Sequence, residues 1–384
     1  MDVDEPSIDG FCQVPCITSI EEVYSDPDLI HTMFITWSVL NWVSFVFVIV
    51  TLGVFIVVPA LREWPHRITI FIGISLFWVH LAGIGASFFS LEGLECASNW
   101  EYNYAGWCKF QAWALQFGSL ATACWWFVQG LVIFWSLTLL RPIDDNLHRF
   151  EPLFHIFSWC YPLTVAFILG WVPDYRSTGG SPNGVPQCVG TNFLPTGLFW
   201  GLYAGFFIFL ILVNIIFISS AFVRLFCMHS QTGNFTRSFR VRLPAQGLIG
   251  SFVMCYMVVL SSSIAFIAWA TQYQSELTDS FTDYYACILT TSNTLDSCTK
   301  SLTFNSSIAW FLTITVGLIG TWYGIIFLVF RLQTREQLSQ WIKDTKIAIS
   351  GSSPNNLLSQ QIKSGTRDQS SYIDSTRDEI GVGY

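Results

Sequence analysis

The sequence predicts an all-α membrane protein: a bundle of seven transmembrane helices, N-terminus outside, with a short amphipathic helix after the last span. Three observations lead there. Only 11% of the 384 residues are charged while 52% are hydrophobic, whereas a soluble domain carries roughly 25% charged residues. The charges leave seven long gaps, about 33–60, 68–91, 110–140, 152–173, 191–223, 243–275 and 302–330, and each supplies the about 20 apolar residues that cross the hydrocarbon as a helix. Finally, the basic residues fall mostly on one side of those gaps, the asymmetry that orients a membrane protein.

Each gap is continuously apolar, as in Phe206-Phe207-Ile208-Phe209-Leu210-Ile211-Leu212-Val213, and lacks the two-residue alternation of a membrane barrel. Lipid offers backbone amides no partner, so the spans are expected as helices. Arg62 and Arg67, then Arg141 and Arg149, then Arg224, Arg237, Arg240 and Arg242 occupy alternate loops, and seven more basic residues follow the last gap. Fifteen of eighteen basic residues thus share one side, with ten acids; the other side holds Lys109, Arg176 and Lys300 with sixteen acids. The basic side is read as cytoplasmic. The acidic start, MDVDEPSIDG, lacks the apolar core of a cleavable signal, so the first span is expected to serve as its own anchor. The organisation expected is an extracellular tail over 1–32, the spans over 33–330, an amphipathic juxtamembrane helix over 331–349 and a disordered cytoplasmic tail over 350–384.

Cys12, Cys16, Cys96, Cys108, Cys188, Cys287 and Cys298 lie on the side read as outer, where disulfides persist if the protein reaches the cell surface. Cys108 at the top of the third span and Cys188 in the following outer loop form one expected pair, and Cys287 with Cys298 a second. Cys96 is left for Cys12 or Cys16; free thiols or a metal cluster are the alternative. Asn305-Ser306-Ser307 matches the glycosylation sequon on the outer side, against the start of the last span. Asn234-Phe235-Thr236 also matches but is read as cytoplasmic and inert.

The gaps contain no Asp, Glu, Lys or Arg, which argues against pumps, proton-coupled carriers and voltage sensors. The last span has no Lys for a retinal Schiff base, no span carries an aspartyl pair, and only His80 and His155 lie at membrane depth. No catalysis, cofactor or metal is expected, and no basic surplus points to nucleic acid. Asn41, Gln111, Gln116, Gln129, Asn214 and Ser261-Ser262-Ser263 fit hydrogen bonds between helices, with a ligand cavity as the alternative. Trp113, Trp125, Trp126 and Trp135 read as belt and core residues.

Trp37-Ser38-Val39-Leu40, Trp64-Pro65-His66-Arg67-Ile68-Thr69-Ile70-Phe71, Trp125-Trp126, His155 with Trp159 and Pro162, Cys188-Val189-Gly190, Gly250 with Phe252 and Tyr256, and Val316-Gly317 occur in one order along the chain. Together with Cys96, Cys108, Cys287 and Cys298 they resemble the membrane domain of the Frizzled/Smoothened receptors over about 30–341. The resemblance implies a G-protein-coupled-type receptor at the plasma membrane, with a heterotrimeric G protein as partner and a sterol or lipid as ligand. About 33 residues precede the first span, so the family's cysteine-rich head and Wnt-type binding are not implied. Leu248 stands where relatives carry a basic residue, with Arg240 and Arg242 earlier. The Dishevelled-recruiting Lys-Thr-x-x-x-Trp is replaced by Thr334-Arg335-Glu336-Gln337-Leu338-Ser339-Gln340-Trp341. Secretin-like and cyclic-AMP-receptor-like receptors share parts of the pattern.

Arg67, Arg141, Arg240, Arg242 and Trp341 form the expected cytoplasmic coupling face. Leu338, Trp341 and Ile342 share a helical face flanked by Arg335, Lys343 and Lys346, suiting a helix that lies on the inner leaflet and its lipids. A passive facilitator for a neutral solute is the reading from another class, since an uncharged interior suits uncharged cargo; no repeat between the first and last three spans supports it.

Overall fold

A computed structural model of the chain describes residues 27–86, 96–98, 101–102, 107–137, 147–171, 178–179, 188–189, 200–232, 306–330 and 332–349. Two compact units divide it, Met1–Thr334 and Arg335–Tyr384.

In the first unit, helix α1 (Pro27–Val57) opens with Pro27 and has Asp28 in its first turn, a residue that fits a helix start and one that favours its dipole. Its 31 residues span about 46 Å at 1.5 Å each, more than the about 30 Å hydrocarbon layer. Met33, Trp37, Asn41, Ser44, Val48, Thr51 and Phe55 are buried, and their three-and-four spacing makes one stripe. Ile35, Val39, Trp42, Val43, Val46, Ile49 and Val50 are exposed. A water-soluble helix has the reverse pattern, polar outward. Here the polar side chains point in and hydrocarbon points out, as a lipid solvent requires.

Helix α2 (Ile68–Ala86) follows a short turn, Pro59–Leu61. A two-stranded ribbon, β1 (Cys96–Ser98) and β2 (Glu101–Tyr102), is antiparallel with Cys96 opposite Tyr102. Helix α3 (Trp107–Leu137) is central: α2, α4 and α5 all pack on it, while α1 packs on α2 and α6. Helix α4 runs as Glu151–His155, a π-helical turn Ile156–Cys160, and Tyr161–Trp171. Pro162 has no N–H to give the carbonyl four residues back, and the widened turn ends just before it. A second ribbon, β3 (Thr178–Gly179) against β4 (Cys188–Val189), sets Gly179 opposite Cys188; β4 also lies against α3. Helix α5 opens with a π-helical turn, Trp200–Ala204, and continues as Gly205–Thr232. Helix α6 runs as Ser306–Gly317 and Ile319–Gly324, then a π-helical turn Ile325–Phe330.

Among the described residues, four helices are long and apolar enough to cross a membrane: His31–Val57, Ile68–Gly85, Phe110–Trp135 and Gly201–Arg224. The fourth and seventh apolar stretches are helical but interrupted, leaving Ile319–Val329 as a shorter apolar helix. The sixth stretch, 243–275, lies outside the described residues. The described chain is almost entirely helical, an all-α membrane protein.

Helix α7 (Leu332–Ile349) carries the described part of the second unit. There Leu338, Trp341 and Thr345 share one half-buried stripe, and Arg335, Ile342, Lys343, Asp344 and Lys346 are exposed. Gln340 donates to Asp344 Oδ1 at 3.1 Å and Thr345 to the Trp341 carbonyl at 2.8 Å.

Helices α2 and α3 meet at Gly118, where an added Cβ would stand 2.8 Å from the Ser75 carbonyl oxygen and 3.0 Å from the Val79 nitrogen. Both are backbone atoms that cannot turn aside. Gly118→Ala is therefore expected to cost about 1–3 kcal/mol, the range for overpacking, and to lower the thermal midpoint in detergent. Gly53→Ala, where nothing lies within 4 Å, should leave that midpoint unchanged or raised.

Candidate functional site: a polar seam through the helix bundle

The buried stripe of α1 meets α2 and α6 along a line of polar groups. Asn41 gives its side-chain amide to the Trp37 carbonyl at 2.9 Å. Its Oδ1 is thereby the acceptor for His80 Nδ1, also at 2.9 Å. That arrangement puts the histidine proton on Nδ1. His80 Nε2 has no hydrogen-bond partner among the described residues and faces Gly320, where an added Cβ would come within 2.6 Å of it. Gly83 makes room for Asn41 in the same way.

One helical turn further along α1, fully buried Ser44 uses all its bonding capacity on α6. Its Oγ lies 2.5 Å from the Gly317 carbonyl oxygen, 2.9 Å from Thr321 Oγ1 and 3.1 Å from the Thr321 nitrogen. Ser44 donates its one proton to Gly317, and its two lone pairs accept from Thr321. Further still, Tyr323 donates to the Thr69 carbonyl of α2 at 2.8 Å. Gly317, Gly320 and Gly324 give α6 the close approach these bonds need, packing on Leu40, on His80 with Ser44, and on Phe47 with Thr51. Small residues at such spacing are the usual means of close helix contact in lipid.

A second seam joins α3, α4 and α5. Ser119 gives its proton to the Leu115 carbonyl at 2.6 Å, which leaves the Tyr203 hydroxyl as donor across their 2.6 Å gap. Tyr161 of α4 donates to the Leu202 carbonyl at 2.7 Å. Gln111 ties α3 to the Ala82 carbonyl of α2 at 3.2 Å. Asn214 packs on Gly130, where an added Cβ would overlap its Oδ1.

Where α2 and α4 begin, Arg67 pairs with Glu151. The Arg67 guanidinium also lies 5.8 Å from the Trp64 ring centre, and Trp64 stacks on Phe154 at 6.2 Å. His155 Nε2 is 3.7 Å from the second Glu151 oxygen. Its ring sits against Phe71 and Trp125, at 4.6 and 5.1 Å, and Trp159 completes the cluster at 5.7 Å from Trp125. The first turn of α4 is thereby clamped to the first connection.

Arg67 is thus held in a clamp rather than standing free, and Trp341 is half-buried on α7 in the second unit. Arg141, Arg240, Arg242, Asn305, Cys12, Cys16, Cys287 and Cys298 lie outside the described residues. For Cys96, Cys108 and Cys188 the backbone alone is described: Cys188 is on β4, the strand lying against α3, and Cys108 is in the first turn of α3. Of the polar residues singled out from sequence, Asn41, Gln111 and Asn214 sit in helix contacts. Ser44, Thr321, Tyr203 and Glu151 went unrecognised. The glycine spacing 317, 320, 324 was the visible sign of the α6 contact.

The membrane-region model of the Frizzled/Smoothened family matches residues 24–345, which takes in every helix of the first unit. The chain belongs to the Frizzled/Smoothened family. Frizzled and smoothened-like protein J of Dictyostelium discoideum is 25% identical over 280 residues, covering 69% of this chain and 42% of that relative. The alignment therefore spans less than half of that relative's length. Within the Frizzled/Smoothened region, Trp37, Trp64, Arg67, Thr69, Phe71, Trp125, His155, Trp159 and Gly317 lie in the seam or the clamp.

Glu151→Gln keeps the shape of the clamp but removes the charge that Arg67 meets. A hydrogen bond to a charged group contributes about 1.5–3 kcal/mol, and the partial exposure of Arg67 places the loss toward the lower end. Thermal unfolding in nanodiscs should show a lowered midpoint for Glu151→Gln and for Arg67→Gln. The double variant should lose less than the sum of the two; strict additivity would mean the pair is not coupled.

Proposed function

We propose that the chain is a G-protein-coupled-type signalling receptor that binds an extracellular or membrane-borne ligand, a sterol or other lipid, and signals through its basic face. The observation carrying this reading is the family match over residues 24–345. The N-terminus is outside and the arginine-bearing loops face the cytoplasm of a plasma-membrane protein. The protein works by binding and shape change, not by catalysis.

A ligand acts by favouring one arrangement of the helices over another. The seams supply connections for such a change: α1, α2 and α6 on one side, α3, α4 and α5 on the other. On the cytoplasmic face Arg141, Arg240 and Arg242 meet the G protein, with Arg67 setting the shape of the first connection through Glu151. Helix α7 lies on the inner leaflet, Trp341 toward the lipid and Lys343 and Lys346 toward anionic headgroups. Outside, a Cys108–Cys188 disulfide ties β4 to α3, which the contact between those elements supports; Cys287–Cys298 and Cys96 with Cys12 or Cys16 are the further bridges, and Asn305 is the acceptor for glycan.

Purified protein in nanodiscs is expected to accelerate nucleotide exchange severalfold on at least one member of a panel of heterotrimeric G proteins. No exchange on any member, together with equilibration of neutral solutes across vesicles bearing the protein, would instead assign a facilitator. Peptide mapping without reduction should recover Cys108 linked to Cys188; recovery of both as alkylated thiols would refute the bridge.

A further inference from the structure

In an uninterrupted α-helix the Thr321 N–H bonds to the Gly317 carbonyl, four residues earlier. In α6 both groups turn to Ser44 instead: its Oγ lies 3.1 Å from the Thr321 nitrogen and 2.5 Å from the Gly317 oxygen. A side-chain hydroxyl from α1 is therefore inserted into the backbone ladder of α6. The helix breaks at that place. Gly317 ends one segment, Ile319 begins the next, and Leu318 between them has φ −90° and ψ 0°. Two bonds of the ladder on either side, Leu318 to Ile314 and Trp322 to Leu318, remain at 3.0 and 2.9 Å, so the break is short. Insertion of a side chain into the ladder is one of the few established causes of a helix kink.

We propose that Ser44 is a removable wedge and that Gly317–Thr321 is a two-state hinge in α6. With the wedge in, three hydrogen bonds join the helices: Ser44 to Gly317, and the Thr321 N–H and hydroxyl to Ser44. With the wedge out, three others replace them. The Thr321 N–H and hydroxyl both return to the Gly317 carbonyl, and Ser44 donates to the Leu40 carbonyl on its own helix. That last arrangement is the ordinary one for a serine inside a helix. It recurs in this bundle at Ser75 to Phe71, 2.9 Å, and Thr51 to Phe47, 2.7 Å. In both states the Ser44 and Thr321 hydroxyls, the Thr321 N–H and the Gly317 carbonyl each have a partner, so for these groups neither state carries the penalty that locks most buried hydrogen bonds in place. Gly317 and Gly320 flank the hinge, and their missing side chains let α6 pack closely on Leu40, His80 and the Ser44 backbone in the wedged state.

The test places spin labels at Arg62, exposed beyond α1, and Val329, exposed near the end of α6, as unnatural amino acids so that the eleven cysteines stay intact. Val329 stands about 18 Å beyond Gly317 along the axis, so a change in bend of about 20° moves it by about 6 Å. In the unmutated chain, pulsed electron–electron resonance in nanodiscs should resolve two distances whose ratio changes with temperature. Ser44→Ala leaves only the closed ladder satisfied and should collapse the distribution to one of the two. Thr321→Val removes one bond from each state and should keep both. A single temperature-independent distance in the unmutated chain overturns the hinge, a reading available even if a variant fails to fold. So does a Ser44→Ala distribution identical to the unmutated one, or a collapse produced equally by Thr321→Val.

Discussion

Hydrocarbon cannot accept or donate a hydrogen bond, and almost everything in this bundle follows from that. A polar group left bare at membrane depth costs several kcal/mol, so a serine, threonine, asparagine or tyrosine inside a span gains by finding a partner on its own helix or a neighbouring one. Some of them turn back on their own helix, as Thr122 does to Gly118 at 2.7 Å. Others reach across, and those are the bonds that hold α1 to α6, α2 to α6, and α3 to α5. Each bridge contributes only about 0.6 kcal/mol on average in a bilayer. Their importance lies in direction. Lipid and leucine attract each other about equally, so directional bonds and close-packed glycines select which faces meet.

The same constraint explains where charge is found. Among the described residues, the Arg67–Glu151 pair lies where the apolar stretches end, reinforced by Trp64, Phe154 and His155. Here the guanidinium reaches a carboxylate and an aromatic face together, a geometry Arg serves better than Lys. The clamp and the seam thereby divide the work: ionic contacts fix the ends of the helices, and hydroxyl contacts set their packing at depth. The receptor role proposed above needs both a rigid frame and an element with two satisfied arrangements. The clamped α2–α4 end would supply the first and the proposed Ser44 hinge in α6 the second.

Much of this was legible in the sequence alone. Charge-free stretches place helices because the bilayer sets their length and composition. The ordered run of tryptophans, prolines and glycines was sufficient to resemble the Frizzled/Smoothened membrane region, and the family match covers the same ground. Polar residues in apolar stretches had to be helix contacts, since lipid gives them no other use; Asn41, Gln111 and Asn214 are of this kind. Ser44 was harder to single out, because a serine in a span is satisfied equally well by its own backbone and has no distinguishing local signal. Glu151 stood at the edge of a span, where an acid is unremarked unless its partner 84 residues away is known.

What the sequence by itself determined was therefore chemistry that depends on one helix at a time: which segments are apolar, which side chains need partners, and which termini begin with Pro or Asp. Tertiary structure alone decided the pairings. Whether Ser44 turns to Leu40 or enters the ladder of α6, whether Arg67 stands free or meets Glu151, and why α6 breaks at Leu318 are all questions about a second helix. No local pattern encodes the answer, because in a bilayer the selecting force is the fit between two surfaces far apart in the chain.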